Sequence, residues 1–155
     1  MNPTQHASSG IKLLDRIEPD AYGTGTYTTG WVKAGDHAAL MAIVMAGALG
    51  SSATIDAKIE QSHGADDTAR NSNARDVTDL AITQMTQAGT DQSDHEAVLD
   101  VQPGDLDATA THVRLSITVG GAASDVAGIL LGAWPRYART GVAGMASTVA
   151  EVVSL

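Results

Sequence analysis

The stretch from Thr111 to Tyr137, THVRLSITVGGAASDVAGILLGAWPRY, constrains this chain more than any other. Its first half alternates strictly, with Val113, Leu115, Ile117 and Val119 on one side of an extended chain and Arg114, Ser116 and Thr118 on the other. A period of two is the pattern of a strand with one face in a core and one in water. Gly120 to Asp125 is small and turn-prone. Val126 to Trp134 is almost wholly apolar, the pattern of a strand covered on both faces. Two strands joined by a short turn predict a β-hairpin, and with it an all-β core. No catalytic motif lies in the stretch, so function must be sought elsewhere.

Other segments repeat the pattern. Ala38 to Ala48 is continuously apolar between Gly35 and the Gly47/Gly50 pair; periodicity alone allows a buried strand or a short buried helix, and the flanking glycines favour the strand. In Ala53 to Gln61, Ile55, Ala57 and Ile59 alternate with Asp56, Lys58 and Glu60. In Asp94 to Val101, Ala97, Leu99 and Val101 alternate with Glu96, Val98 and Asp100. Asp76 to Thr86 suits either period, and its neighbours favour a strand. His63 to Asn73 and Gln87 to Ser93 read as polar loops, and Pro103 to Asp107 as a Pro-led turn. Ala21 to Gly30 is a Gly/Thr-rich lead-in of edge-strand character. Its glycine spacing fits neither a dinucleotide fingerprint nor a P-loop.

The expected fold is a single antiparallel β-sandwich, jelly-roll-like, with extended N- and C-terminal arms. The expected divisions are an arm and lead-in over residues 1–30, the sandwich over 31–137 and a tail over 138–155. Ile11, Leu13, Leu14 and Ile17 form a short apolar patch without a clear period, too short for a lone helix. It reads as an extended arm laid on something apolar. In the tail, Ser147 could cap a short helix with Val149, Val152 and Val153 on one face. Apolar arms at both ends suggest subunits that tie onto neighbours.

Composition excludes more than it selects. Nine Lys plus Arg stand against eighteen Asp plus Glu, a formal net charge of −9, and no run of basic residues exists. Clustered cations are what phosphate backbones and anionic membranes require, so neither a nucleic-acid nor a membrane partner is expected. Without cysteine there are no disulfides, thiolate metal sites or thiol nucleophiles. The start, MNPTQHASSG, lacks the order of a signal peptide, and no apolar run is long enough to span a bilayer, which points to a soluble protein made inside a cell. The five histidines, His6, His37, His63, His95 and His112, show no metal-ligand spacing. Asp91, Asp94, His95 and Glu96 lack the alternation and central glycine of a calcium loop and read as a solvated acidic loop. No G-x-S-x-G occurs. A carboxylate pair for glycoside hydrolysis is not visible in sequence, and the chain is poor in the aromatic platforms that sugar sites use. No enzyme activity, metal or cofactor is expected.

The aromatics carry the remaining signal. Trp31 opens the folded part and Trp134 closes it; as large residues among small ones, both are expected to seal the core, with an interface role as the alternative for both. Pro135-Arg136-Tyr137 leaves the last strand and offers an Arg and a Tyr, residue types that concentrate in protein interfaces. The candidate interface residues are therefore Ile11, Leu13, Leu14, Ile17, Arg136 and Tyr137.

Thr29-Gly30-Trp31-Val32, Ile55 to Gln61, Ala81-Ile82-Thr83-Gln84, Asp105-Leu106-Asp107, His112-Val113-Arg114-Leu115 and Leu131 to Ala138 together resemble a group of small structural proteins of tailed bacteriophages. That group is usually encoded beside capsid genes and is similar to head cement or decoration proteins. The resemblance spans residues 11 to 138; the tail after Arg139 lies outside it. It implies a virion protein on the outer surface of the phage head, made in the host cytoplasm. It also implies binding to the major capsid protein, and self-association, with a trimer suggested by three-fold joints of the lattice. It brings no catalytic residues. A head–tail connector or tail component is the alternative within the virion. A glycan- or receptor-binding sandwich on the virion surface, using Tyr22 or Tyr27, is a further alternative.

Overall fold

The computed structural model describes residues 7–136, 146 and 149–150. A short helix α1 (Ala7–Gly10) precedes ten strands: β1 (Ile11–Tyr22), β2 (Gly25–Thr28), β3 (Val32–Lys33), β4 (His37–Ala46), β5 (Thr54–Ser62), β6 (Arg75–Ala81), β7 (Met85–Thr86), β8 (Glu96–Val101), β9 (His112–Gly120) and β10 (Ser124–Pro135). A second short helix, α2 (Asp67–Ser72), lies between β5 and β6.

The strands form two antiparallel sheets. One runs β1-β10-β4-β8; the other runs β2-β9-β5-β6, with β3 added to β9 and β7 to β5. With the two-residue strands β3 and β7 set aside, the eight that remain, numbered along the chain, read 1-8-3-6 facing 2-7-4-5. That is the double Greek key of a jelly roll. The fold is all-β, as the alternation predicts.

The expected β9–β10 hairpin is not formed. β9 pairs with β2, β3 and β5 in one sheet, while β10 pairs with β1 and β4 in the other. The small turn between them, where Ala122 N–H closes on Gly120 C=O at 2.9 Å, carries the chain across the sandwich. The reason is packing. Both strands have an apolar face to bury, and these faces meet front to front in the core instead of lying edge to edge. Leu115, Ile117 and Val119 of β9 and Val126 and Leu130 of β10 are all at most 3% exposed. At Gly128 the sheets come so close that a Cβ would lie 2.7 Å from Leu115 Cδ2 and 3.0 Å from Ile117 Cδ1.

The remaining core follows the sequence pattern. Ile55, Ala57 and Ile59 point inward from β5, Leu40, Ala42 and Val44 from β4, and Leu99 and Val101 from β8. The ambiguous segment 76–86 is mostly strand, in β6 and β7, which a three-residue break at 82–84 separates. Part of the expected loop at 63–73 is instead α2, started by Asp66, whose side chain accepts the Ala69 N–H at 2.9 Å, a standard N-cap. The segment expected as an N-terminal arm is extended, and the apolar body it lies on is the chain's own β10. β1 leaves register with β10 twice, between Leu13 and Asp15 and between Ile17 and Asp20. From the tail, Ala146 N–H donates to Leu13 C=O at 2.7 Å; the helix expected from Ser147 lies largely outside the described residues.

Adding a side chain at the closest approach tests this packing. Gly128→Val should lower unfolding stability by roughly 1–3 kcal/mol through overpacking against Leu115 and Ile117. A denaturant melt reads it, and an unchanged midpoint would contradict the face-to-face contact.

Candidate functional site

The two outer faces of the sandwich differ in kind. On the six-stranded sheet the outer face is polar and internally bonded. Lys58 pairs with Asp76 at 2.7 Å and with Glu60 at 3.5 Å. Gln84 donates to Asp56 at 2.8 Å, and the Thr26 and Thr118 hydroxyls bond at 2.9 Å. Arg114 donates to Glu60 Oε2 and to Asn71 Oδ1, both at 2.7 Å, while its guanidinium lies 4.4 Å from the centre of the Trp31 ring. Trp31 Nε1 donates to the same Asn71 oxygen at 2.9 Å. Trp31 therefore clamps α2 onto this face by a cation–π stack and a shared acceptor; it does not seal the core.

On the four-stranded sheet the outer face is apolar. β4 and β10 are its central strands, and both are apolar on both sides. Inward residues are fully buried, but Met41, Ile43 and Met45 of β4 and Ile129, Leu131 and Ala133 of β10 are only half-buried. Register aligns them in rows. Leu13, Leu131, Met41 and Asp100 form one, and Arg16, Ile129, Ile43 and Val98 the next. The cover expected on both faces is thus a second sheet on one; among the described residues no further sheet lies over the other. Val98 and Trp134 are 58% and 57% exposed, and Ile11 is 38% exposed. Contiguous exposed apolar surface rimmed by charge is the usual mark of a protein contact.

The register breaks in β1 open a groove of about 810 Å³ beside this face. Leu13, Pro19, Met45, Ala127 and Ile129 are apolar walls, with Arg16, Asp20 and Asp125 at the rim. It can accept apolar side chains. It has no nucleophile and base held together.

The candidate interface residues separate under this geometry. Ile11 and Leu13 lie on the outer face, and Leu13 lines the groove. Leu14, at the first register break, is half-buried against the core. Ile17 is 6% exposed and belongs to the core. Arg136 is exposed just past β10, its backbone N–H tied to Asp36 C=O at 2.9 Å and its Nε to His37 C=O at 3.4 Å. Tyr137 lies outside the described residues. Trp134, expected to seal the core, faces outward instead, with φ at +47°. A bulky residue in the left-handed region is strained by about 1–3 kcal/mol. The residues missed from sequence are the outward Met41, Ile43, Met45, Ile129 and Leu131. Their signal was present as apolar character on both faces of two strands.

Tyr22 and Tyr27 are not free platforms. Their ring centres are 4.3 Å apart, both pack on the core, and their hydroxyls donate to Glu18 and Gly23 carbonyls. Asp91 of the acidic loop turns its carboxylate back on Ser93, accepting its N–H and O–H, which holds the carboxyl below its ordinary range. Among the described residues, no three His, Asp or Glu side chains gather as a metal site.

No family model matches the chain, and no curated protein matches it. Among solved structures, the C-terminal extracellular domain of Mycobacterium tuberculosis EmbC aligns with 78% of this chain at 18% identity and a TM-score of 0.34. The aligned region spans 40% of that structure. A likeness this slight carries no argument about function.

Next to Arg136, the ring of His37 is buried against β10, and its Nδ1 has no hydrogen-bond partner among the described residues. Burial lowers its pKa; burial, with Arg70 and Lys33 nearby, lowers that of His112 as well. Both therefore bind protons more weakly in the folded chain than in the unfolded one. Their contribution is complete above the unfolded value of about 6.5 and is lost as pH falls below it toward the folded values. The melting temperature should drop as pH falls below that value, above the carboxylate range, and a His37→Leu, His112→Asn double variant should show a flatter profile. Parallel profiles would remove the histidines from the account.

Proposed function

We propose that this protein is a structural binding module of a tailed-bacteriophage virion. In this reading it is a capsid cement or decoration protein that attaches to the major capsid protein lattice. The observation that carries the reading is the half-buried apolar outer face of β4 and β10, which no further sheet covers among the described residues, beside the groove under β1. An apolar sheet face in water is costly, and a partner that covers it recovers burial free energy of about 25 cal/mol per Å². The jelly roll is a fold found in viral capsid and lectin domains, which supports the reading by analogy. The sequence resemblance to head cement proteins points the same way.

The mechanism is mechanical. Subunits sit over joints of the lattice and bury Met41, Ile43, Ile129 and Leu131 against it. Because they bind assembled lattice better than loose subunits, linkage stabilises the assembled state against internal DNA pressure. Contacts summed over neighbouring subunits add avidity. Self-association on the particle, as a trimer at three-fold joints, belongs to this proposal. A copy number that scales with the capsid protein supports cement; a single ring per particle would indicate the connector alternative.

Two variants separate binding from folding. Ile43→Lys with Ile129→Lys should keep the sandwich folded, by circular dichroism, and abolish attachment to heads lacking the protein. Undiminished occupancy would refute the face as the contact. Trp134→Gly should raise stability by about 1 kcal/mol, because glycine accepts the positive φ, yet weaken attachment. A stability loss would show that the ring supports the fold.

A further inference from the structure

A jelly roll leaves four sheet edges, here β1, β2, β6 and β8. Proteins blunt such edges with bulges, proline, short length or charge, because open backbone groups recruit other strands. Three of the four are blunted by their backbones. β1 has two register breaks and Pro19, and the tail touches it at Leu13. β2 is four residues long. β6 has a register break, and its Asp79 has φ +58°. β8 is six residues in unbroken register with β4, without glycine or proline.

The groups β8 leaves open follow from the ladder. Ala46 N–H donates to His95 C=O at 2.9 Å, and Met45 stands opposite Glu96. Bonded and non-bonded pairs alternate in an antiparallel ladder. Ala97, Leu99 and Val101 therefore exchange bonds with Val44, Ala42 and Leu40. The N–H and C=O groups of Glu96, Val98 and Asp100 point away from β4, the one strand that pairs with β8 among the described residues. The side chains of these same three residues are exposed on the outer face, Val98 at 58%. One edge thus offers a row of open backbone groups beneath the side-chain sequence acid, apolar, acid.

We propose that β8 is a strand-addition site for an extended segment of another protein, patterned cation–x–apolar–x–cation. Directly opposite residues of such a segment set Lys or Arg against Glu96 and Asp100 and an aliphatic side chain against Val98, in either strand direction. A second copy of this chain does not fit. Antiparallel pairing with Val98 opposite Val98 sets Glu96 against Asp100 twice, and in-register parallel pairing sets each acid against itself. The net charge of −9 attracts a basic segment at long range. The inference goes beyond the lattice reading and holds for any protein that presents such a segment.

The test uses the full chain and two blocked peptides, Thr-Lys-Thr-Ile-Thr-Lys-Thr and its Glu-for-Lys counterpart, followed by amide hydrogen exchange resolved by NMR at low salt. The basic peptide should slow exchange at Glu96, Val98 and Asp100 by about tenfold near saturation, and added salt should weaken the effect. The acidic peptide should do nothing. Val98→Pro removes an outward donor without touching the β4 ladder and should abolish protection. Glu96→Lys with Asp100→Lys should switch the preference to the acidic peptide, a readout that survives if the proline variant fails to fold. Equal effects of both peptides, protection confined to other strands, unaltered binding by the proline variant, or a β8-paired homodimer by sedimentation would each overturn the proposal.

Discussion

The contact between β9 and β10 across the sandwich is what the rest of the molecule is built around. At Gly128 the packing leaves no room for even a methyl group, with Leu115 and Ile117 filling the space a side chain would take. A core made of Val, Leu, Ile and Ala, with no Phe in the chain, is thin, and thin layers require this closeness. The same contact decides the topology. Because β9 and β10 bury their faces against each other, they cannot also be edge neighbours, and the chain must cross between sheets at Gly120 to Ser124.

Alternation made the strands legible, since a period of two is a local property that burial on one face imposes. It located β5, β8 and β9 almost to the residue. What it could not convey was which strands pair. A short turn serves a hairpin or an arch equally well, and the choice depends on contacts distant in sequence. The helix at Asp67–Ser72 was hidden for another reason. Its six residues are too few for a hydrophobic period, and it exists because Asp66 caps it and Asn71 is held by Trp31 and Arg114.

The candidate surface was half legible. Ile11 and Leu13 were found as an apolar patch, but Ile17, from the same patch, turned into the core because the register break between Leu13 and Asp15 re-aims β1. Continuous apolar character in β4 and β10 predicts two covering layers, and the described fold supplies one. The excess is the strongest statement the sequence makes about a partner, and it becomes visible only when the layers are counted. The polar face opposite is the counterpart: Lys58, Glu60, Asp76, Arg114 and Asn71 satisfy one another there.

The two tryptophans sit on different structural units in contrasting surroundings. Trp31 is held under a guanidinium with its indole N–H bonded, whereas Trp134 stands largely in solvent at the end of β10. With no other tryptophan in the chain, intrinsic fluorescence becomes a two-channel optical reporter. Emission from Trp134 shifts to the blue when something covers the apolar sheet. Emission from Trp31 brightens or dims when α2 lifts from the polar one. Single Trp→Phe replacements would assign each band, so the molecule needs no dye to show which of its faces has met another surface.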